Sequence, residues 1–546
     1  MRDPEWYDLF HKRGTRRDFL RVGGAAAGLL ALASVPGCRA DARLRAIGSY
    51  PFKLGVASGD PEPELVALWT RLDPEALETV GAHEKPVAID YELARDNNFT
   101  QIVRTGSAIA SPEFGHSISI EVGGLHPGHE YFYRMIVGGE VSPVGRTKTA
   151  PAPENTADRI RFAFASCQNY EDGYFTALQH LAQEDLDFII HLGDYIYEYA
   201  EHDRDTVRHH TGPEIQTLQE YRNRHTQYRS DLNLQAAHAA TSWIVTLDDH
   251  EVDNNWADES PEDDQSPEQF LLRRTAAFQA YFEFMPLRQA SMPSGPNIQL
   301  YRRLRFGNLM EMSVLDTRQY RSSQPCLGGI SPSCATHISP DQSILGRSQR
   351  EWLFRGLTRS EARWNVLAQQ VMVARLRGSD AEGQETWSMD KWDGYPLERS
   401  AMINRMADAE TPNPVVLTGD IHSNWVTDLK RDFDDPSSET VATEFVCTSL
   451  SSDGDGHDMT AGGERLLRSN PHLKFYNGQR GYVTASVTPD LWTSEFKVVP
   501  VVTEIGGSLE ARAKFVIEDG HPGAERAKLS TLLAQTLREP LHDEIW

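Results

Sequence analysis

The sequence predicts an α/β protein preceded by an all-β region, on three observations. First, three apolar, β-prone runs each end in a short cluster of acidic and aromatic or imidazole side chains. Phe188-Ile189-Ile190-His191-Leu192 leads into Gly193-Asp194-Tyr195-Ile196-Tyr197, Trp243-Ile244-Val245-Thr246-Leu247 into Asp248-Asp249-His250-Glu251, and Val415-Val416-Leu417-Thr418 into Gly419-Asp420-Ile421-His422. Ligand sites in α/β sheets collect beyond the carboxyl ends of strands, so three such ends can converge on one pocket. Second, Phe162-Ala163-Phe164-Ala165, a helical stretch from Tyr174 to Gln183 and the Phe188 run form a β-α-β unit. Third, Tyr50 to Thr149 carries short strand-like runs broken by turn signals.

Within that first region the strands are expected at Ala67–Thr70, Val87–Tyr91 and Ser117–Val122, separated by Gly59-Asp60-Pro61 and Pro127-Gly128. The stretch from Gly124 to Arg134 resembles the turn-then-strand of fibronectin type III and Ig-like sandwiches, whose tyrosine anchors a corner. Ala150-Pro151-Ala152-Pro153 then marks a domain boundary. The expected organisation is an export signal over 1–40, a β-sandwich domain over 48–150 and a catalytic domain over 158–546. Inside the last, Gln269–Phe284 and Ser348–Arg363 read as helices, and Ile298–Phe306 with Leu309–Leu315 as paired strands. Ala524–Leu541 reads as a C-terminal helix, and the acidic stretch Asp258–Asp264 as an exposed loop.

At 546 residues, with 39% hydrophobic residues and 11 Trp, the chain has the material for a large core. Its formal charge of −25 argues against nucleic-acid binding, which needs Lys and Arg to neutralise phosphates. Small phosphorylated substrates stay open, because a bound cation reverses the field locally. Near the N-terminus, Thr15-Arg16-Arg17-Asp18-Phe19-Leu20 precedes an apolar run from Val22 to Val35. Twin arginines before a short apolar region resemble a twin-arginine (Tat) export signal, which implies the Tat machinery as a partner and a periplasmic or extracellular location. The run falls short of the ~20 apolar residues of a membrane span, so no span is expected in the mature chain. Val35-Pro36-Gly37-Cys38 resembles a lipobox, but Pro36 spoils the match, and soluble export is favoured over anchoring at Cys38. Of the five cysteines, Cys326 and Cys334 flank a Gly/Ser/Pro-rich loop suited to a local disulfide, and Cys447 reads as a buried thiol.

Asp, Tyr and His gathered at strand ends suit hard or borderline cations such as Ca²⁺, Mn²⁺, Zn²⁺ or Fe, which makes a metal-dependent hydrolase the first reading. A single Asp after a strand is more often a turn or capping residue. The ordered series is what raises the site above that.

The series runs Gly55-Val56-Ala57-Ser58-Gly59-Asp60, Ala165-Ser166-Cys167, the Gly193 cluster, and Leu247 to Val252 with Asn254-Asn255. Leu315-Asp316-Thr317-Arg318-Gln319-Tyr320-Arg321, Trp392-Asp393-Gly394-Tyr395-Pro396 and the Gly419 cluster complete it. It resembles the PhoD-like alkaline phosphatases and phosphodiesterases, a branch of the metallophosphoesterases. That likeness implies a β-sandwich core flanked by helices and attack on a phosphate ester by a metal-bound hydroxide. It implies Asp194 as a bridging carboxylate and an Fe³⁺ site completed by Cys167, Tyr197 and His422. Asp249 and Asp420 would serve a second ion, for which all-oxygen ligation points to Ca²⁺. His250 falls where the leaving group is protonated, and Asn255 and Arg318 where substrate or ligand-supporting contacts are made. The expected substrates are phosphate monoesters, with phosphodiesters of lipids or cell-wall polymers as the rival class.

Overall fold

The computed structural model describes residues 42–527 apart from 156, 203–204, 263–264 and 381. Two mixed β-sheets, one of ten strands and one of seven, face each other across a shared apolar layer. At the centre of the larger sheet Ile160–Ala165, Phe188–His191 and Ser242–Val245 run parallel, with Phe188 opposite both Phe162 and Ser242. Met310–Val314, Trp364–Ala368, Pro414–Thr418 and Thr440–Val446 form the parallel part of the smaller one.

Side chains alternate across these strands as the two-residue period demands. Phe162, Phe164, Phe188, Ile190 and Ile244 meet Met312, Val314, Val366, Leu417 and Phe445 between the sheets. Ala163, Ala165 and Ile189 point the other way, under the helices Thr176–Leu181, Leu218–Arg229, Leu232–Ala240 and Pro267–Phe284. Beyond the smaller sheet, Leu367 and Val416 pack with Leu353 and Met402 of Gly346–Arg359 and Pro396–Asp408. Burial on both faces is why these strands read as continuous apolar runs. The helix Pro267–Phe284 starts two residues before its expected position because Ser266 and Gln269 form a capping box with Pro267 at the first position.

The segment before residue 150 is tied into the main fold. Val56–Glu62 pairs in parallel with Ser242–Val245, and Leu65–Arg71 and Ser117–Gly123 extend the same sheet. Val87–Ala94, Ile102–Ala110, Glu130–Val137, Glu140–Val141 and Gly145–Lys148 form a separate small sheet. The Tyr131 hydroxyl accepts the His126 N–H at 2.9 Å, tying the strand to its preceding turn. One five-residue helix, Pro74–Glu78, interrupts the β pattern.

Three expectations are corrected. The strand expected over 298–306 is Arg302–Phe306 only, because Gln319 Oε1 takes the Ile298 N–H at 3.0 Å. The helix expected to 363 stops at Arg359, since Trp364 opens a strand. Ala524–Arg526, the start of the expected C-terminal helix, lies in the strand His521–Arg526, and residues 528–541 lie outside the described part. The twin-arginine segment and Cys38 also lie outside it. Cys326 and Cys334 are disulfide-bonded, and Cys447 is buried. No described helix is long and apolar enough to cross a membrane.

Candidate metal centre and active site

The site forms where the central strands of both sheets run out. Just past Ala165, His191 and Thr418 the chain turns sharply, and Cys167, Asp194, Asp420 and His422 take φ values of 59°, 56°, 64° and 51°. Such values are uncommon for non-glycine residues and cluster at functional sites. Gly193, at φ 114°, lies where a Cβ would sit 2.4 Å from Asp248 Cβ, so only glycine lets the Asp194 and Asp248 loops approach. Glu251 locks the two loops, accepting the Tyr195 N–H at 2.6 Å and the Asp248 N–H at 2.8 Å.

Two donor groups share one member. Ligand atoms of Cys167, Asp194 and His422 lie within 4.8 Å of one another, and so do those of Asp194, Asp249 and His250. The Tyr197 hydroxyl joins the first group, donating to Asp194 Oδ2 at 3.1 Å and lying 3.3 Å from His422 Nε2 and 2.8 Å from Ser452 Oγ. Arg318 links Asp420 to the second group, its Nη2 lying 3.5 Å from Asp249 Oδ1 and 3.7 Å from Asp420 Oδ1. Both histidines are oriented from behind. His422 Nδ1 is 2.7 Å from Asp453 Oδ2, and His250 Nδ1 is 2.8 Å from Glu198 Oε2. A carboxylate on one ring nitrogen fixes the tautomer and leaves the other for chemistry. The His250 ring stacks on Tyr197 at 4.1 Å.

The electrostatics fit a cation. Burial, then the neighbouring carboxylates Asp249, Asp248 and Glu251, push the Asp194 acid well above its usual range against the pull of His250. Burial and the Asp194 charge likewise raise the Cys167 thiol. Asp248 is pushed up to about 6 by burial, with Arg318 acting against the rise. Asp194 Oδ1 is buried without a hydrogen-bond partner. Such an orphaned acceptor is costly unless an ion or donor meets it. Sulfur, phenol, imidazole and carboxylate together suit a transition metal, and the paired carboxylates of Asp194 and Asp249 offer oxygens that a hard cation favours.

All nine residues singled out from the sequence lie around this cluster, but two differ in how they face it. Arg318 is fully buried, its Nε 2.5 Å from Asp248 Oδ1 and its Nη1 2.8 Å from Asp390 Oδ1. It therefore braces the carboxylates, the ligand-supporting one of the two kinds of contact expected for it. Asn255 is exposed; its backbone N–H donates to Asp249 Oδ2 at 2.8 Å, and its amide nitrogen faces Asp390 at 3.1 Å. Sequence reasoning missed Glu198, Asp390, Lys391, Ser452 and Asp453. Glu198 and Lys391 carried a signal, each standing next to a motif residue: Tyr197 and Trp392.

The comparisons agree with this architecture. The model of the PhoD-like phosphatase matches residues 162–496, and that of the PhoD-like phosphatase N-terminal domain residues 37–151. Alkaline phosphatase D of Bacillus subtilis (strain 168) is 47% identical over 525 residues, which is 95% of this chain and 90% of that protein. A solved structure, described as the structure of PhoD, is 49% identical with a TM-score of 0.85, covering 88% of this chain and 93% of its own. With likeness at this level along both matched regions, the chain belongs to the PhoD-like phosphatase family.

Proposed function

We propose that this chain is an exported, metal-dependent alkaline phosphatase acting on phosphate monoesters. The observation that carries the reading is Asp194: a buried carboxylate shared by two donor groups, with one oxygen unpartnered, in a chain 47% identical to alkaline phosphatase D. We read the core as a metallophosphoesterase sandwich and residues 48–150 as a fibronectin III- or Ig-like domain, with catalysis in 158–546 and a Tat signal in 1–40. Cys167, Asp194, Tyr197 and His422 would hold Fe³⁺, and Asp194, Asp249 and Asp420 would hold Ca²⁺. When bound, such cations neutralise phosphoryl charge and lower the pKa of a coordinated water.

The protein's own groups supply the rest. Glu198 holds His250 by Nδ1, which leaves Nε2 to pass a proton to the departing alkoxide. We assign the ester contact to Asn255, which is exposed and joined to Asp249 through its backbone N–H. Arg318 keeps Asp248, Asp249, Asp390 and Asp420 together, which unneutralised would repel one another.

The test is hydrolysis of nitrophenyl phosphate against bis-nitrophenyl phosphate at alkaline pH with Ca²⁺ present. A higher kcat/KM on the monoester is expected. Preference for the diester would move the assignment to lipid or wall-polymer phosphodiesters, and no turnover of either by metal-containing protein would overturn it.

A further inference from the structure

Lys391 is the feature that the site has not absorbed. Its backbone is pinned on both sides. Asp390 receives Arg318 Nη1 at 2.8 Å, Arg321 Nη2 at 2.6 Å and Gln324 Nε2 at 2.7 Å. On the other side Trp392 is fully buried, and its indole N–H donates to Gln369 Oε1 at 3.1 Å. Between these anchors the Lys391 ammonium is directed into the cluster, against the Asp420 carboxylate. The neighbouring guanidiniums, Arg318 and Arg321, are fully buried and both held by Asp390. Lys391 keeps 17% of its side chain exposed, whereas the two arginine side chains keep none.

Asp420 thus faces two suitors, the ammonium and any cation held with Asp249. An ammonium on a flexible four-carbon stem moves readily, whereas a guanidinium locked by two carboxylates does not. We infer that Lys391 is a specificity-determining contact: with Asp420 engaged by a cation, its ammonium meets a terminal phosphoryl oxygen of the substrate. A monoester presents a dianionic phosphoryl group with three terminal oxygens. A diester carries one negative charge and only two terminal oxygens. The contact therefore favours monoesters. This rests on the phosphatase reading above and gives it a residue that sets the substrate class.

The test uses the metal-loaded full chain and two kinds of readout. Lys391→Met is expected to weaken binding of inorganic phosphate by roughly 10- to 100-fold, the effect of losing one charged hydrogen bond. Its kcat/KM should fall by a similar factor on nitrophenyl phosphate and far less on bis-nitrophenyl phosphate, at unchanged metal content. Lys391→Arg should restore most of the phosphate affinity, and Lys391→Gln gives the same readouts where methionine disturbs folding. Unchanged phosphate affinity, equal losses on the two esters, or loss of bound metal would overturn the inference and leave Lys391 as a partner of Asp420 alone. Weakened phosphate binding in a protein that hydrolyses neither ester would uphold the contact while defeating the phosphatase reading.

Discussion

His250 separates chemistry from assembly more cleanly than its neighbours, because it is oriented by Glu198 and stacked on Tyr197. His250→Gln should lower kcat by about 10²–10⁴-fold, the usual contribution of general acid–base help, while metal analysis finds the ions still bound. Cys167→Ser exchanges the thiol in the Cys167–Asp194–His422 group for an oxygen. It should reduce iron content and change the visible absorption spectrum; an unchanged spectrum would return Cys167 to a purely structural role. A residue away from the site gives a pH prediction. His225 is buried, stacked on Phe284 at 5.0 Å, with neither ring nitrogen hydrogen-bonded. Burial, then Arg229, Arg71 and Arg224, lower its pKa to about 3. The unfolded chain takes up a proton below about 6.5 that the folded chain refuses. The stability this gives is full above pH 6.5 and is lost as pH falls towards 3, by about 1.4 kcal/mol per pH unit. Against His225→Leu, wild type should therefore lose stability more steeply in urea melts between pH 6.5 and 4.

At the scale of elements, the loops after the strands are held by close approaches that tolerate no bulk. Gly193→Ala would set a Cβ into Asp248 and force an alanine to φ 114°. The expected result is a lowered Tm, by about 1–3 kcal/mol of stability, together with loss of bound metal. The same elements show what was legible beforehand. The central strands could be read because burial on both faces makes them unbroken apolar runs. The helices Leu218–Arg229 and Leu232–Ala240 escaped notice, since the buried face of the first is Tyr221, Arg224, His225, Tyr228 and Arg229, which conceals the apolar period. Cys167, Asp194, Asp249 and Asp420 follow recognisable strand ends. Asp390 and Asp453 reach the cluster from loops without an acid-and-histidine motif of their own, so tertiary structure is what reveals them.

For the molecule as a whole, the main sheet runs without a break through the segment before residue 150. Val56–Glu62 covers the edge of Ser242–Val245, and the Trp69 indole donates to Glu283 O at 2.8 Å. Deleting residues 42–150 would open that edge and uncover Trp69's apolar surroundings, so the remaining chain should aggregate, as judged by light scattering of refolded protein. A soluble, monomeric remainder would show that the sheet is complete without those strands. The account as a whole turns on two cation positions sharing Asp194. The most direct measurement is elemental analysis of wild-type protein and Asp194→Asn, with nitrophenyl phosphate hydrolysis on the same samples. Wild type should carry iron and calcium, and Asp194→Asn should lose both ions and its activity together. An Asp194→Asn protein with full metal content and full turnover would contradict the shared-carboxylate site.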